Sequence, residues 1–256
     1  MKAYSAYLID LDGTMYRGNQ VIEEAPGFIQ WLNEQGIPFL FLTNNSSLTP
    51  QRVAHKLGLM GITCGPEHVY TTSMAAAHYI SSTLSSHRVY AIGEAGLIEA
   101  LQQEGCELAE EQPEVVVVGI DREITYEKMA KASLAIQGGA HFLSTNSDRA
   151  IPTERGLVPG NGALTAAISV ACGKEPQYIG KPESLFVHLA LEKLGVNAEN
   201  VLLVGDNLQT DIAAGVQAQV DTLLVYTGIT RPEDLELQAI KPTYAVDHLK
   251  EWTLRF

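Results

Sequence analysis

Asp10-Leu11-Asp12-Gly13-Thr14 ends an apolar run that reads as a β-strand. Residues two apart on a strand share a face, so both carboxylates can meet at the strand's C-terminal end. In open α/β sheets that edge is where ligands bind, and Gly13 lets the chain turn away at once. Two carboxylates so placed suit nucleophilic attack, proton transfer or a hard cation. Alone, the motif also fits a strand end followed by a helix-capping Asp. Three further groups add to it. Thr43-Asn44-Asn45 follows the apolar run 39–42 and sets a hydroxyl and amide donors at a second strand end. Lys181, between Gly180 and Pro182, is expected at a helix N-terminus, where an ammonium adds to the dipole's preference for anions. Gly205-Asp206-Asn207-Leu208-Gln209-Thr210-Asp211 follows the run 201–204 and brings two more carboxylates.

Asp10, Asp12, Asp206 and Asp211 around one lysine would repel one another and raise some of their pKa values. A divalent cation removes that difficulty, and oxygen-only ligands select a hard ion such as Mg²⁺. The ion also lets a carboxylate approach a phosphate dianion, while Lys181 and the Thr43 hydroxyl hold the remaining oxygens. One carboxylate of the D-x-D pair can then attack phosphorus. Its neighbour can protonate the leaving oxygen and later deprotonate water. That division of labour explains two Asp at this spacing.

These residues must be positioned by elements that the sequence also announces. Strand-length apolar runs are expected at 4–11, 39–43, 89–92, 115–118, 142–144, 201–204 and 222–226, alternating with segments of helical period. The pattern predicts an α/β fold with a doubly wound, mainly parallel sheet. Val115-Val116-Val117-Val118 is apolar at every position, as strands buried on both faces are. Phe28, Trp31 and Leu32 keep a helical period before Gly36. Thr49-Pro50 offers an N-cap with Pro at N1, and Ser73 and Thr125 are further N-cap candidates. Lys181-Pro182 is expected to open a helix through Leu185, Phe186, Leu189 and Lys193, closed by Gly195. The stretch 145–162 is polar and Gly-rich, which inside an α/β chain reads as a ligand loop.

Composition sets the limits. The 256 residues carry 17 Lys+Arg against 30 Asp+Glu, a net charge of −13. At 46% hydrophobic and 18% charged residues the chain is an ordinary globular one, long enough for one or two domains. The acidic balance argues against a nucleic-acid polymer as partner and leaves room for a small anion held by local cations. No apolar run reaches the ~18 residues of a membrane span, and no secretory leader is evident. Cys64, Cys106 and Cys172 are odd in number and lack C-x-x-C spacing, which predicts free thiols in a reducing compartment, hence a cytoplasmic protein. The seven histidines show no metal-binding spacing. P-loop, dinucleotide and G-x-S-x-G signatures are absent.

Taken in order, Asp10-Leu11-Asp12-Gly13-Thr14, Thr43-Asn44, Lys181 and Gly205-Asp206 through Asp211 resemble the four motifs of the haloacid dehalogenase (HAD) superfamily of phosphatases. The likeness spans nearly the whole chain. Leu42-Thr43-Asn44-Asn45-Ser46, Tyr178-Ile179-Gly180-Lys181-Pro182 and Val204-Gly205-Asp206-Asn207-Leu208-Gln209-Thr210-Asp211 narrow it to the NagD-like branch, with its p-nitrophenyl phosphatase-like and pyridoxal-phosphatase-like members. The resemblance implies a HAD-like Rossmannoid core at 1–80 and 178–256, with an inserted C2-type α/β cap at 81–177. It makes Asp10 the nucleophile and Asp12 the general acid/base. Asp10, the backbone carbonyl of Asp12, and Asp206 would bind Mg²⁺, with Asp211 in support. Thr43, Asn44 and Lys181 would hold the phosphoryl group. Asn146 and Asp148, in the polar loop, are the candidate specificity contacts.

The expected activity is therefore a Mg²⁺-dependent phosphomonoesterase acting on a small soluble ester, a nucleoside monophosphate or a sugar phosphate, through an aspartyl-phosphate. The expected partner is that small molecule, with neither nucleic acid nor membrane; monomer and homo-oligomer stay open. Two alternatives stand beside it. A receiver-like phosphoacceptor module also groups Asp, Thr and Lys around Mg²⁺, but needs no acid two residues after its phosphorylated Asp and is about half as long. A phosphate-ester sensor without catalysis would not need Asp10 and Asp12 intact.

Overall fold

The computed structural model describes residues 2–84 and 87–255. Within it the chain divides into two compact units, one of residues 1–43, 50–70 and 181–256, the other of 44–49 and 71–180. The boundaries expected from the sequence stood at 80/81 and 177/178.

A six-stranded sheet organises the first unit, in the order Tyr244–Val246, Asp221–Val225, Val201–Gly205, Ala6–Asp10, Phe39–Thr43, Val69–Thr71. Every pairing from Tyr244 to Thr43 is parallel. Register sets where the strand ends fall. Asp10 lies opposite Leu42, and Ile9 opposite Val204. Asp10, Thr43 and the segment after Gly205 therefore leave the sheet side by side at its carboxyl edge. The first strand is flanked by one strand that comes soon after it in sequence and another that comes much later. The strand order thus reverses around Asp10, the arrangement that opens a crevice in α/β sheets. Leu8, Ile9, Phe41 and Leu203 are buried, so burial of apolar strands on both faces fixes the register.

The second unit has its own five-stranded parallel sheet, ordered Gln177–Tyr178, His141–Ser144, Val115–Val118, Arg88–Ile92, Glu107–Leu108. All four valines of 115–118 are fully buried, as the unbroken apolar run requires. Val116 and Val118 pack with Tyr90, Ile92, Phe142, Ala132, Ile136 and Ile168 in one core cluster.

The chain is thus an α/β protein with mainly parallel sheets. Several local expectations are corrected. The polar stretch 145–162 contains an antiparallel hairpin, Ala150–Thr153 with Gly156–Pro159. The helix Thr72–Tyr79 is capped by Thr71, whose hydroxyl accepts from the Met74 N–H, and not by Ser73. Thr125 does cap its helix, Tyr126–Gln137. Lys181 does not open a helix, which runs from Ser184 to Leu194 and ends at Gly195. A residue before proline is pushed out of the helical region, so Lys181 stays in the approach to it. Cys64, Cys106 and Cys172 are free thiols. Among the described residues no helix is long and apolar enough to cross a membrane.

Candidate active site

Carboxylate oxygens of Asp10, Asp206 and Asp211 lie within 4.8 Å of one another in the first unit. Lys181 sits among them, 3% exposed. Its Nζ donates to Asp10 Oδ1 and to the Leu42 carbonyl at 3.1 Å, and pairs with Asp211 Oδ1 at 2.7 Å. Residues from three strand ends and from the 181 segment meet because the parallel register brings those ends level. Thr43, the last residue of its strand, is buried at the same edge.

Each aspartate is held from behind. Asp206 Oδ2 accepts the Ile229 N–H at 2.7 Å. A β-carbon on Gly13 (φ +95°) would overlap the Asp206 carboxylate, and one on Gly228 would do the same. Left-handed backbone and close approach thus both demand glycine at 13. Asp211 Oδ2 accepts from the Asn207 N–H (3.1 Å) and the Thr210 hydroxyl (3.3 Å). Thr14 Oγ1 donates to Asp10 Oδ2 at 3.4 Å. The Gly13 turn is tied down by the Thr227 hydroxyl on the Gly13 carbonyl at 2.7 Å.

Two buried carboxylates and a half-buried one against one ammonium leave excess negative charge. Burial, then the charge of Asp211, pushes Asp206 up to about 7, against the opposing pull of the Ile229 N–H and Lys181. Asp10 is raised well above the usual carboxylate range by burial and by Asp211, which outweigh Lys181. Burial disfavours the Lys181 charge, but Asp10 and Asp211 more than compensate, so its ammonium titrates above the ordinary lysine value. The donor set is all oxygen, acidic and convergent. It fits a hard divalent cation such as Mg²⁺, which would relieve this repulsion.

The remaining expected residues fall in two places. The side chain of Asp12 is exposed and stands outside the carboxylate trio. Asp211, expected only in support, belongs to the trio itself. Asn44, Asn146 and Asp148 come together in the second unit. The Asn44 carbonyl accepts from Thr72 Oγ1 (3.0 Å) and Asn146 Nδ2 (2.8 Å), and its own amide donates to Asp148 Oδ1 at 3.3 Å. Asn146 is buried, and its Oδ1 accepts the Asp148 N–H at 3.1 Å. Its amide is therefore engaged in holding the 44–49 segment and its own loop. Gly228, Ile229 and Thr227 were not foreseen, because no motif in a single sequence marks a backbone N–H that folds back onto a carboxylate.

A parallel α/β sheet whose carboxyl edge gathers three aspartates around a buried lysine is an arrangement suited to phosphoryl chemistry. Comparison with known proteins gives the particular kind. A family model for haloacid dehalogenase-like hydrolases matches residues 7–107, and a second, HAD-hydrolase-like, matches 178–252. The chain is 52% identical over 252 residues to the 5'-nucleotidase YutF of Bacillus subtilis (strain 168), covering 98% of each. It is 47% identical to an acid sugar phosphatase of Staphylococcus aureus (strain USA300), over 98% of this chain and 97% of that one. The solved structure of NagD from E. coli K-12 superposes with a TM-score of 0.92 at 32% identity, covering 98% of each chain. The chain belongs to the haloacid dehalogenase-like hydrolases, in their NagD-like branch, and is a phosphatase.

Proposed function

We propose that the protein is a Mg²⁺-dependent phosphomonoesterase that hydrolyses small phosphate esters, nucleoside monophosphates or sugar phosphates, through an aspartyl-phosphate on Asp10. The observation that carries this reading is the convergence of Asp10, Asp206 and Asp211 around the buried Lys181. Names of relatives, a 5'-nucleotidase and acid sugar phosphatases, support the substrate class.

In this reading an Asp10 oxygen attacks phosphorus and the bond to the leaving oxygen breaks, while Asp12 delivers a proton to that oxygen. Asp12 then takes a proton from water, which attacks phosphorus and releases the Asp10 carboxylate with inorganic phosphate. An exposed Asp12 beside a half-buried Asp10 suits this split, because the proton must reach an oxygen of the substrate and then of water. Thr43, Asn44 and Lys181 donate hydrogen bonds to the phosphoryl oxygens. Asp10, the Asp12 carbonyl, Asp206 and Asp211 would hold Mg²⁺, which when bound neutralises the charge gathered between carboxylates and phosphate. Asn146 and Asp148 are read as supports of Asn44 within the second unit. Three free thiols support a cytoplasmic location.

Neither a receiver-like module nor a silent sensor is favoured, since relatives matched over 98% of the chain are named as a 5'-nucleotidase and an acid sugar phosphatase. The test is kcat/KM over a panel of nucleoside monophosphates, sugar phosphates and pyridoxal phosphate, in EDTA and after Mg²⁺ is restored. Turnover that EDTA abolishes and Mg²⁺ returns is expected. A chelator-resistant enzyme would remove the metal from the reading.

A further inference from the structure

Lys56 lies on the helix Pro50–Leu59 of the first unit and takes no part in the carboxylate site. Its Nζ sits 3.8 Å from the centroid of the Tyr16 ring. Among the described residues this ammonium makes neither a hydrogen bond nor an ion pair, so its N–H donors are not engaged by protein. The ring beneath it is buried and fixed to the Asp12 turn, because Tyr16 bridges Asp12 and its carbonyl accepts the Gly13 N–H at 2.7 Å. Both side chains also lie within the electrostatic reach of the proposed reacting groups. The Tyr16 hydroxyl is pushed above its usual range by burial and by the charges of Asp12 and Asp10. Burial draws Lys56 downward, and the Asp12 charge opposes that.

A half-buried ammonium with open donors, resting on an aromatic ring fixed to the turn of an exposed carboxylate, is a cation presented to a ligand. Its location says which part of the ligand. Asp12 is read as the acid for the leaving oxygen, so a cation held on the ring that bridges Asp12 stands on the leaving-group side. Lys181, by contrast, is buried among the carboxylates that face phosphorus. An ester carrying a second negative charge on its leaving group would otherwise meet an acidic site uncompensated. We propose that Lys56 determines specificity by receiving a second anionic group, a carboxylate or phosphate, carried by the leaving group of the ester. This rests on Asp12 being the acid that protonates the leaving oxygen.

A matched pair of esters tests it: phenyl phosphate and 3-carboxyphenyl phosphate, compared by kcat/KM with Mg²⁺ present. Lys56→Met keeps the stem over Tyr16 and removes the charge. The expected loss is about tenfold greater for the carboxylated ester than for phenyl phosphate, carried mainly by KM, as for one charge-assisted hydrogen bond at a half-exposed site. Lys56→Glu should widen the gap, and raised salt should narrow it in the parent enzyme. Equal losses on the two esters would mean that Lys56 merely props the Tyr16 ring, and would overturn the proposal; so would no loss on either. Asp12→Asn, run alongside, separates the two readings. If it harms an alkyl phosphate no more than p-nitrophenyl phosphate, the Asp12 assignment falls and Lys56 with it. If Asp12 behaves as an acid while the Lys56 variants lose equally, only Lys56 is refuted.

Discussion

In the metal-free protein Asp206 is a destabilising charge, and neutralising it should make the fold more stable while ending its use. Burial and Asp211 lift the carboxyl from an ordinary 3.8 to about 7, whereas the unfolded chain keeps the ordinary value. Between about pH 4 and pH 7 the native state therefore binds more protons than the unfolded one, so stability falls as pH rises through that window. Three pH units at about 1.36 kcal/mol each make about 4 kcal/mol lost by pH 8. Asp206→Asn imitates the protonated acid. An amide fits the place of a protonated carboxyl less well, so about half of that, about 2 kcal/mol, is the expected gain, or about 4–8 °C in Tm.

The measurement is urea denaturation followed by tryptophan fluorescence, in EDTA, from pH 5 to pH 8. Trp31 and Trp252 both belong to the first unit, so the probe reports the unit that holds the site and is blind to the other. The variant should exceed the parent at pH 8, show a flatter pH dependence, and converge with it near pH 5. With saturating Mg²⁺ the order should invert, because only the parent gains the full stabilisation from a bound ion. A variant less stable than the parent at pH 8 in EDTA would refute the reasoning, since it would mean that the Asp206 charge is compensated without metal.

Three further outcomes are expected. Asp10→Asn should lower kcat on p-nitrophenyl phosphate at least about a thousandfold while leaving the circular dichroism spectrum unchanged; near-parental turnover would remove the covalent step. Asp12→Asn should cost an alkyl phosphate about a hundredfold or more in kcat and p-nitrophenyl phosphate much less, because a good leaving group needs little protonation. Gly13→Ala should destabilise the first unit by about 2–4 kcal/mol in the same urea experiment, combining a left-handed non-glycine with overlap on Asp206.

Much of the fold was legible because burial on both faces writes itself as unbroken apolar runs. The strands 39–43 and 115–118 have the bounds their sequences suggest. What stayed hidden were strands too short or too polar to show a period. Gln177–Tyr178 pairs through only two residues, and Tyr244–Val246 is half-exposed for two of its three. The 150–159 hairpin is mostly exposed and contains Pro152, so neither alternation nor burial marked it. For the site, Asp10 and Asp206 were visible because charged residues at the ends of apolar runs are conspicuous, and Lys181 and Asp211 because they complete motifs with them. Ile229 and Gly228 were not, because their contribution is backbone geometry. Asn44 shows a different limit. Sequence adjacency to Thr43 says nothing about its partners, which come from residues 72, 146 and 148.

The same residues explain why the site must be both buried and overloaded. An exposed carboxylate trio would be screened and would hold a divalent ion weakly, whereas burial raises the cost of charge until an ion is the natural remedy. Lys181 alone cannot supply that remedy. Its one charge is divided between Asp10 and Asp211, and Asp206 is still pushed toward neutrality. Placing the lysine on Asp10 also keeps the attacking oxygen oriented. The glycines at 13 and 228 then become requirements of the electrostatics, because only backbone without a β-carbon can approach Asp206 closely enough to keep water from solvating it. Mutual repulsion without a metal and affinity for a hard cation are in this sense one property, set by how tightly three aspartates are walled in.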